Sequence, residues 1–391
     1  FSTTYNGGRS DVFVAKVAVC DAVRNTTTME KFCTIQAAID DGDTRDGHTL
    51  EVSAGVYSEL VDVYKSVRLI GAGAGTTTIE ATPDVSSSNE MAIIQVRDGK
   101  SAEITGFKIA GPGPDACGSI LTGIFVREGA TANIHDNTIT AIRDDDGNST
   151  CQNGFGIFVG RKLVSTTGTA TITNNTLTGY QKGGIIVDNT GSNATLSNNI
   201  ITGSGSNNHV AQNGVQISRG ATATFTGNDI SLHQFSGSTW IATGVLLYDA
   251  GNVTINNNNL IHDNGYGIYI RSTGARSSEA DGPQPVPFDA EFDDLMNQGR
   301  SADAITAGTM AINNNRIYGN AVYGAFATGI SGIDGRCNWW GSAGGPSGGD
   351  KVNTNIVYTP FRTTNNMDDS CALRLGDSDT AKWTLFLPVT R

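Results

Sequence analysis

Short runs of alternating apolar and polar residues recur along most of the chain. One run opens with glycine and then carries an apolar residue at every second position; its copies are GIFVREG (123–129), GIFVGRK (156–162), GIIVDNT (184–190), GVQISRG (214–220), GVLLYDA (244–250), GIYIRST (267–273) and GAFATGI (324–330). A second run, such as ATITNNTLT (170–178), places one apolar residue three positions before an asparagine and another two positions after it. A period of two is typical of β-strands. Each repeat is therefore predicted to hold two strands, a sharp bend and a third strand.

The asparagine of the second run occupies matching positions in successive repeats. In four copies it follows the opening glycine by 14 residues, as from Gly123 to Asn137. A buried asparagine at a bend can hydrogen-bond its own backbone and the asparagine of the next repeat, so the repeats are expected to stack as a solenoid. The predicted ladder consists of Asn137, Asn175, Asn199, Asn228, Asn258, Asn315 and Asn338.

The repeat length predicts an all-β fold. A turn of about 22–30 residues without helical periodicity excludes helical repeats and favours a β-helix with three short strands per turn and roughly ten turns. The segment 33–42 predicts a capping helix that begins after Thr34. We divide the chain into an N-terminal extension (1–32), the β-helix (33–350) and a C-terminal cap or tail (351–391).

One insertion interrupts the repeats. Residues 275–308 separate the strand around Ile270 from the next asparagine run. Within the insertion, FDAEFDDLMNQG predicts an amphipathic helix, with Phe288, Phe292 and Leu295 on one side and aspartates on the other.

Charge and cysteine content narrow the class of protein. The 391-residue chain has a formal net charge of −12 and no basic run, which argues against nucleic acid and anionic membranes as partners. No apolar stretch has the length of a membrane-spanning helix. The six cysteines fall as three pairs along the chain, without a C-x-x-C motif or a histidine cluster. We therefore expect the disulfides Cys20–Cys33, Cys117–Cys151 and Cys337–Cys371, and an extracellular setting.

Two segments resemble a known group of proteins. LEVSAGVYSELVDVYKSVRLIGAGAGTTTI (50–79), preceded by IQAAID (35–40), is similar to the opening phrase of right-handed parallel β-helix proteins of the pectin-lyase-like superfamily, of the periplasmic copper-accessory and carbohydrate-binding or sugar-hydrolase type. CNWWGSAGGPSGG (337–349) is similar to their closing phrase. The resemblance implies a right-handed single-stranded β-helix over about residues 33–350. It implies no single function, because this fold carries lyases, hydrolases, epimerases, adhesins and structural proteins. Separately, TTYNGGRSDVFVAKV (3–17) resembles the tail of an SBBP-type propeller repeat.

The resemblance also implies where catalysis would occur. Enzymes of the superfamily use carboxylates, a lysine or arginine base and often calcium on the outward face of the first strand. In this chain the first outward column of that strand holds no carboxylate, and the second holds one aspartate. The candidates for an active site are Asp188, Asp249, Arg219 and Arg271, and the alternative is a solvated edge of mixed charge. The two aspartates are offset by one residue, so they are expected to point to different sides.

The same outward face is rich in apolar residues. The row consists of Phe125, Phe158, Ile186, Leu246, Tyr248, Tyr269 and Phe326. Exposed rows of this kind are unusual on a soluble monomer. Three explanations stay open: the inserted helix covers the row, a second subunit covers it, or it is an aromatic platform for sugar rings.

Evidence for metal binding in the sequence is weak. Asp41 and Asp43, and likewise Asp144 and Asp146, lie in short acidic runs that could bind calcium, with a solvated turn as the alternative. The histidines show no metal-ligand spacing, and His135 and His262, beside ladder asparagines, are interpreted as turn packing. No other cofactor is expected.

These observations lead to three hypotheses on function. The first is a secreted cell-surface or extracellular-matrix protein that self-associates or adheres to a surface glycan without catalysis. The second is a polysaccharide lyase, epimerase or glycoside hydrolase acting on an extracellular uronic-acid polymer. The third is carbohydrate binding without turnover. The apolar row and the shortage of carboxylates on the outward face favour the first.

Overall fold

A computed structural model gives the architecture of the chain. It describes residues 20–87, 91–144, 151–237, 240–273, 284–285, 307–369 and 371. Here the chain winds through three long sheets built almost entirely from parallel strands, and successive turns add strands to each sheet. The predicted parallel β-helix with three short strands per turn is confirmed. No helix among the described residues has the length and apolarity needed to span a membrane.

Sheet 1 holds the glycine-led strands that open each turn. Its nine strands are Val61–Val63, Ala92–Val96, Thr122–Val126, Phe155–Val159, Gly183–Asp188, Asn213–Ser218, Thr243–Tyr248, Tyr266–Arg271 and Tyr323–Thr328. Sheet 3 holds the strands that follow the asparagine bend. Its nine strands are Gly55–Ser58, Thr77–Glu80, Lys108–Ala110, Thr138–Thr140, Thr176–Thr178, Ile200–Asn207, Asp229–Phe235, Leu260–His262 and Arg316–Tyr318.

Sheet 2 holds the strands that precede the bend. Its thirteen strands are Val23–Asn25, Lys31–Phe32, Thr49–Val52, Arg68–Gly71, Ser101–Thr105, Ala130–His135, Gly168–Thr173, Asn193–Ser197, Thr222–Thr226, Val253–Asn256, Met310–Asn313, Ile333–Asp334 and Ile356–Val357. The first two pair antiparallel, so the described part of the N-terminal extension joins the body of the fold. A separate pair joins Trp240–Ile241 to Gln284–Pro285.

Apolar residues at equivalent positions stack in the interior. One column of sheet 2 runs in register through Ile134, Ile172, Leu196, Phe225 and Ile255, and every member is fully buried. Since inward and outward residues alternate along each strand, stacking in register places the inward apolar residues of successive turns beside one another. Together they form one continuous core. Burial of these columns supplies most of the stabilisation, at roughly 25 cal/mol per Å² of apolar surface.

The asparagine ladder lies at the bend between sheets 2 and 3. In one step, Asn199 Nδ2 donates to Asn228 Oδ1 (2.9 Å) and to the backbone oxygen of Ile172 (2.8 Å), while the Asn199 amide donates to the same Asn228 oxygen (3.1 Å). Each amide thus satisfies polar groups of two turns inside the core, where an unpaired group would cost about 1–3 kcal/mol.

The prediction for Asn258 is wrong by one residue. The fully buried ladder member is Asn259, which accepts from Asn228 and donates to Asn315 Oδ1 (2.8 Å). Asn258 is exposed, and both it and Asn257 have positive φ, at 72° and 56°. This bend contains one extra residue, and asparagine tolerates the left-handed conformation that the extra residue requires.

A second ladder occupies the bend between sheets 3 and 1. The backbone amide of His233 donates to Asn264 Oδ1 (3.0 Å), that of Asn264 to Asn320 Oδ1 (3.1 Å), and that of Asn320 to Asp350 Oδ2 (3.1 Å). The fully buried His233 ring also hydrogen-bonds the hydroxyl of Tyr180. This ladder therefore ends on a carboxylate instead of an amide.

The two ends of the solenoid are capped by different structures. At the N-terminal end the helix Ile35–Asp40 buries Ile35, Ala38 and Ile39, and the Thr34 hydroxyl accepts from the Ala37 amide (3.1 Å), which confirms the capping helix. The Glu59 carboxylate accepts from the first two helix amides, each at 2.9 Å. At the C-terminal end an irregular segment with the 3₁₀ turn Gly345–Ser347 follows the last long strand.

Three disulfides cross-link the described part of the chain. Cys20 bonds Cys33, Cys117 bonds Cys151 and Cys337 bonds Cys371, the pairing expected from the sequence. The second bridge joins loops that precede neighbouring strands of sheet 1. The predicted helix of the 275–308 insertion, Asp146 and the propeller-like segment 3–17 lie outside the described residues.

Candidate functional site

The structure places Asp188 and Arg219 in a buried ion pair. Arg219 Nε and Nη2 donate to the two carboxylate oxygens at 2.7 and 2.6 Å, and the Asp188 side chain is completely inaccessible. Ser218 Oγ (2.8 Å) and the Lys162 amide (2.7 Å) donate to the same carboxylate. With four donors and no access to solvent, this carboxylate holds the strands of sheet 1 together and cannot contact a polymeric substrate.

Asp249 is likewise enclosed. The backbone amide of Thr273 donates to Asp249 Oδ1 (2.7 Å), and the Thr273 hydroxyl donates to the other oxygen. Burial raises the pKa of Asp249, and the charge of nearby Arg271 offsets part of that rise. Asp188 and Asp249 thus each have separate protein partners, and the sequence-derived group of four does not form one open site.

The apolar row is buried, so the expectation that it is exposed is wrong. All members except Tyr248 share one register column, which Gln216 interrupts, and Phe125, Phe158, Ile186, Leu246, Tyr248 and Tyr269 are at most 4 % exposed, with Phe326 half-buried. Leu121 and Phe155 pack on one half of the row and Ile241 on the other. Residues that lead into the strands of sheet 1 therefore fold over its outward face. The self-association inferred from an exposed row loses that basis.

The weak calcium candidates fall in two different environments. Asp41, Asp43 and Glu30 bring one carboxylate oxygen each to within 4.8 Å of one another. Surface acids often group in this way without an ion, so the group carries no metal assignment. Asp144 is buried and hydrogen-bonds Ser119 and Gln181, which gives it a structural role.

A surface cleft lies where sheet 3 meets the C-terminal cap. Its volume is about 430 Å³, a size that suits a small ligand or a sugar unit. We call it the Tyr318 cleft; its lining consists of Arg316, Tyr318, Gly319, Trp339, Gly341, Gly349, Asp350 and Asn365. It combines aromatic surface, a guanidinium group, an amide and a carboxylate.

Strand register explains how these residues come together. Asp229, Leu260, Arg316 and Trp339 are successive partners along sheet 3 and lie on its outward face. Tyr318 follows two positions after Arg316 on the same face. The floor of the cleft needs glycine: at Gly319 φ is +69°, and a Cβ there would lie 2.6 Å from the Asp263 carboxylate.

His262 extends the polar network beside the cleft. Its ring stacks on Tyr318 with centroids 5.0 Å apart and planes 3° from parallel. Nε2 lies 3.0 Å from Asp229 Oδ1, and Nδ1 lies 2.7 Å from Asp263 Oδ2. The hydrogen bond to Asp229, with that to Asp263, raises the pKa of His262 despite partial burial. The ring thus lies between two half-buried carboxylates that favour its protonated form.

Asp350 forms the inner wall of the cleft and the end of the second ladder. It accepts from the amide (3.1 Å) and Nδ2 (2.6 Å) of Asn320 and is only 8 % exposed. Burial raises the pKa of Asp350, and the nearby charge of Asp263 contributes to the rise. A carboxyl group with a raised pKa that borders a cleft is a candidate proton donor.

A second cleft lies beside the N-terminal helix, and three of its four acids bond neighbouring protein groups. Glu59 accepts from helix amides, Asp62 pairs with Arg97 (2.8 Å), and Asp40 accepts from the Tyr64 hydroxyl (2.8 Å). The Tyr318 cleft is therefore the better candidate for a functional site.

Sequence reasoning missed this cleft, although one signal was present. The tetrapeptide I-H-D-N occurs twice, at 134–137 and 261–264, with histidine outward, aspartate at φ of 55° and asparagine in a ladder. In both places the histidine contacts its own neighbouring aspartate and a carboxylate one strand away. Interpreting His262 as turn packing overlooked the second carboxylate, which only strand register reveals.

Titration of His262 should show the effect of its two carboxylates. We expect an NMR midpoint for His262 above the unperturbed value of about 6.5, and a lower midpoint in Asp263→Asn. Because the pKa is raised in the folded state, protonated His262 stabilises the fold fully below about pH 6.5, and this contribution is lost as pH rises through the folded value. Asp136→Asn, in the other I-H-D-N copy, should shift His135 and leave His262 unchanged. An unshifted His262 in Asp263→Asn would contradict the assignment.

The family comparison agrees with this architecture. A model described as "Right handed beta helix region" matches residues 64–230 and 162–339, which together cover more than half of the chain. The chain belongs to this family. The predicted resemblance to right-handed β-helix proteins is thereby confirmed, over residues 64–339. Among curated proteins no sequence matches.

Several solved β-helix structures are similar to this member of the family at low identity. A mannuronan C-5 epimerase A-module from Azotobacter vinelandii is 16% identical, with a TM-score of 0.41 over 88% of this chain and 94% of that chain. An alginate lyase from a Paenibacillus species is 15% identical, with a TM-score of 0.36 over 64% and 96%. A pectin methylesterase from carrot is 13% identical, with a TM-score of 0.35 over 84% and 83%. At these values the likeness carries no conclusion on activity.

Proposed function

We propose that the protein binds an extracellular polysaccharide in the Tyr318 cleft and acts on it by acid–base chemistry. The observation that carries the proposal is the meeting of Trp339, Tyr318, Arg316 and Asp350 in one surface cleft. Aromatic faces suit the C–H faces of sugar rings, and carboxylate and amide groups suit their hydroxyls. The three disulfides support an extracellular setting.

Two groups at the cleft are suited to move protons. The raised pKa of Asp350 favours a neutral carboxyl group that can donate to a leaving oxygen, and the Asp229 carboxyl group lies half-buried on the same outward face, two strands from Arg316. Cleavage of a glycosidic bond by two carboxyl groups requires one protonated and one ionised member. The His262 imidazolium, stacked under Tyr318, adds a second proton donor beside them.

Binding can be tested by removing the aromatic wall. Trp339→Ala should weaken affinity for the bound polysaccharide about tenfold or more, because it removes apolar contact area from the cleft. A tenfold loss of affinity corresponds to about 1.4 kcal/mol of binding free energy. Trp240→Ala is the matched control, since Trp240 is 38 % exposed and lies outside the lining of the cleft. Affinity electrophoresis over a panel of extracellular polysaccharides measures both. Equal affinity for the two variants would remove the cleft as the binding site.

Turnover can be tested separately from binding. Asp350→Asn should leave binding intact and lower the release of reducing ends, or of unsaturated products, by about 100-fold or more, since general-acid catalysis contributes about 10²–10⁴ in rate. The variant keeps its fold, because an asparagine carbonyl can accept from Asn320 as other ladder members do. Undiminished turnover in this variant would exclude Asp350 as the proton donor.

Carbohydrate binding without turnover is the second candidate. It is favoured by the protein contacts of His262 and Asp350, which occupy the groups that would have to exchange protons with a substrate. Both ring nitrogens of His262 already contact carboxylates, and Asp350 accepts from Asn320. Saturable binding that depends on Trp339, with no product from any polysaccharide of the panel, would favour this candidate over catalysis.

A further inference from the structure

We infer that the Tyr318 cleft selects uncharged sugars over uronic-acid polymers. The inference rests on the proposed function and names its substrate class. The sequence led us to expect a uronic-acid substrate, and the inference differs from that expectation. It follows from the contacts that the charged groups around the cleft already make within the protein.

The cation that lines the cleft is engaged by the protein. Arg316 Nε donates to the backbone oxygen of Asn365 (2.8 Å), and Nη1 donates to Asn258 Oδ1. Recognition of a carboxylate by arginine uses two parallel N–H donors of the fork. In Arg316 two of the three guanidinium nitrogens thus already donate to protein acceptors. Among the described lining residues no second cation is present.

Carboxylates outnumber cations around the cleft. Asp350 lines it, and Asp229 and Asp263 lie behind Tyr318, one on each side of His262. Against these three carboxyl groups stand two basic side chains, Arg316 and His262. The chain as a whole carries −12. A polymer with one carboxylate per sugar is therefore disfavoured by the charge of the chain as a whole, and the cleft offers it one partly engaged guanidinium group.

A nearby cation does not change this balance. Arg362 is 8 % exposed and donates to the backbone oxygen of Cys337 (3.0 Å) and to Asn314 Oδ1 (2.9 Å). Its guanidinium thus fixes the C-terminal cap and does not present a free fork to the cleft. Sugar hydroxyls, by contrast, can both donate to carboxylates and stack their rings on Tyr318 and Trp339.

Polymers that differ only in charge give a direct test. The first pair is polygalacturonan with high and with low methyl esterification, and the second is hydroxyethyl and carboxymethyl cellulose. We expect the wild-type protein to bind the uncharged member of at least one pair about tenfold more tightly than the anionic member, and added salt to narrow the difference. Binding of the anionic member as tightly as the uncharged one would overturn the inference and leave the proposed function standing. Failure to bind any polysaccharide, charged or not, would instead refute the proposed function.

A charge variant links the selectivity to this cleft. At a pH below the NMR midpoint measured for His262 in the variant, Asp263→Asn should raise affinity for the anionic member severalfold and leave the uncharged member nearly unchanged. Asp136→Asn is the matched control, because Asp136 holds the same position in the distant I-H-D-N copy. An equal gain in both variants would assign the selectivity to overall charge and overturn its assignment to the cleft.

Discussion

Replacing Asn259 by aspartate is expected to lower the free energy of unfolding by about 3–5 kcal/mol. Asn259 Nδ2 donates to Asn315 Oδ1 (2.8 Å) and to the Asn256 backbone oxygen (2.7 Å), both inside the core. A carboxyl group there either presents a charge to two acceptors or must be protonated, and it satisfies at most one of them. Its neighbours in the ladder lose partners at the same time, so the cost exceeds that of one hydrogen bond.

The same substitution one residue earlier is the control. Asn258 is exposed, and its side-chain oxygen accepts from Arg316, a contact that aspartate keeps. Asparagine and aspartate both tolerate positive φ, so Asn258→Asp should change the free energy of unfolding by less than about 0.5 kcal/mol. Chemical denaturation, followed by circular dichroism and tryptophan fluorescence, compares the two variants. A larger loss in Asn258→Asp than in Asn259→Asp would show that the ladder follows the sequence-predicted register after all.

The ladder shows what a repeating sequence can predict. The period of two and the recurrent asparagine identify a stacked β-helix, because every turn repeats the same local pattern. The run INNNNLI (255–261) is ambiguous. Ile255 lies three positions before Asn258, which favours Asn258 as the ladder residue, but Ile261 lies two positions after Asn259, which fits Asn259 as well. The extra residue in the bend decides the register, and nothing in the spacing of the other repeats reveals it.

The candidate site could not be predicted in the same way. The alternation of apolar and polar residues predicts which side chains of sheet 1 point outward. It does not predict that Leu121, Phe155 and Ile241 cover them. The Tyr318 cleft depends on Asp350, which lies 32 residues beyond Tyr318 and outside the repeat. Contacts between a repeat and an irregular cap carry no periodic signal, so they become visible only in three dimensions.

Removing the partner of Asp188 should be nearly as costly as breaking the ladder. Arg219→Met leaves a completely inaccessible carboxylate with only Ser218 and the Lys162 amide as donors, and the loss of one member of a buried ion pair costs about 3–5 kcal/mol. The double variant Asp188→Leu/Arg219→Met should recover at least half of that loss, because it removes the uncompensated charge and refills the space with apolar atoms.

Activity measurements on the same variants separate a structural pair from a catalytic one. If Asp188 and Arg219 only hold sheet 1 together, Arg219→Met turns over polysaccharide at the wild-type rate per folded molecule, at a temperature where both remain folded. Asp350→Asn shows the opposite pattern, with an intact fold and reduced turnover. Loss of turnover in Arg219→Met with unchanged stability would return the active site to the outward face of sheet 1, where the sequence first placed it.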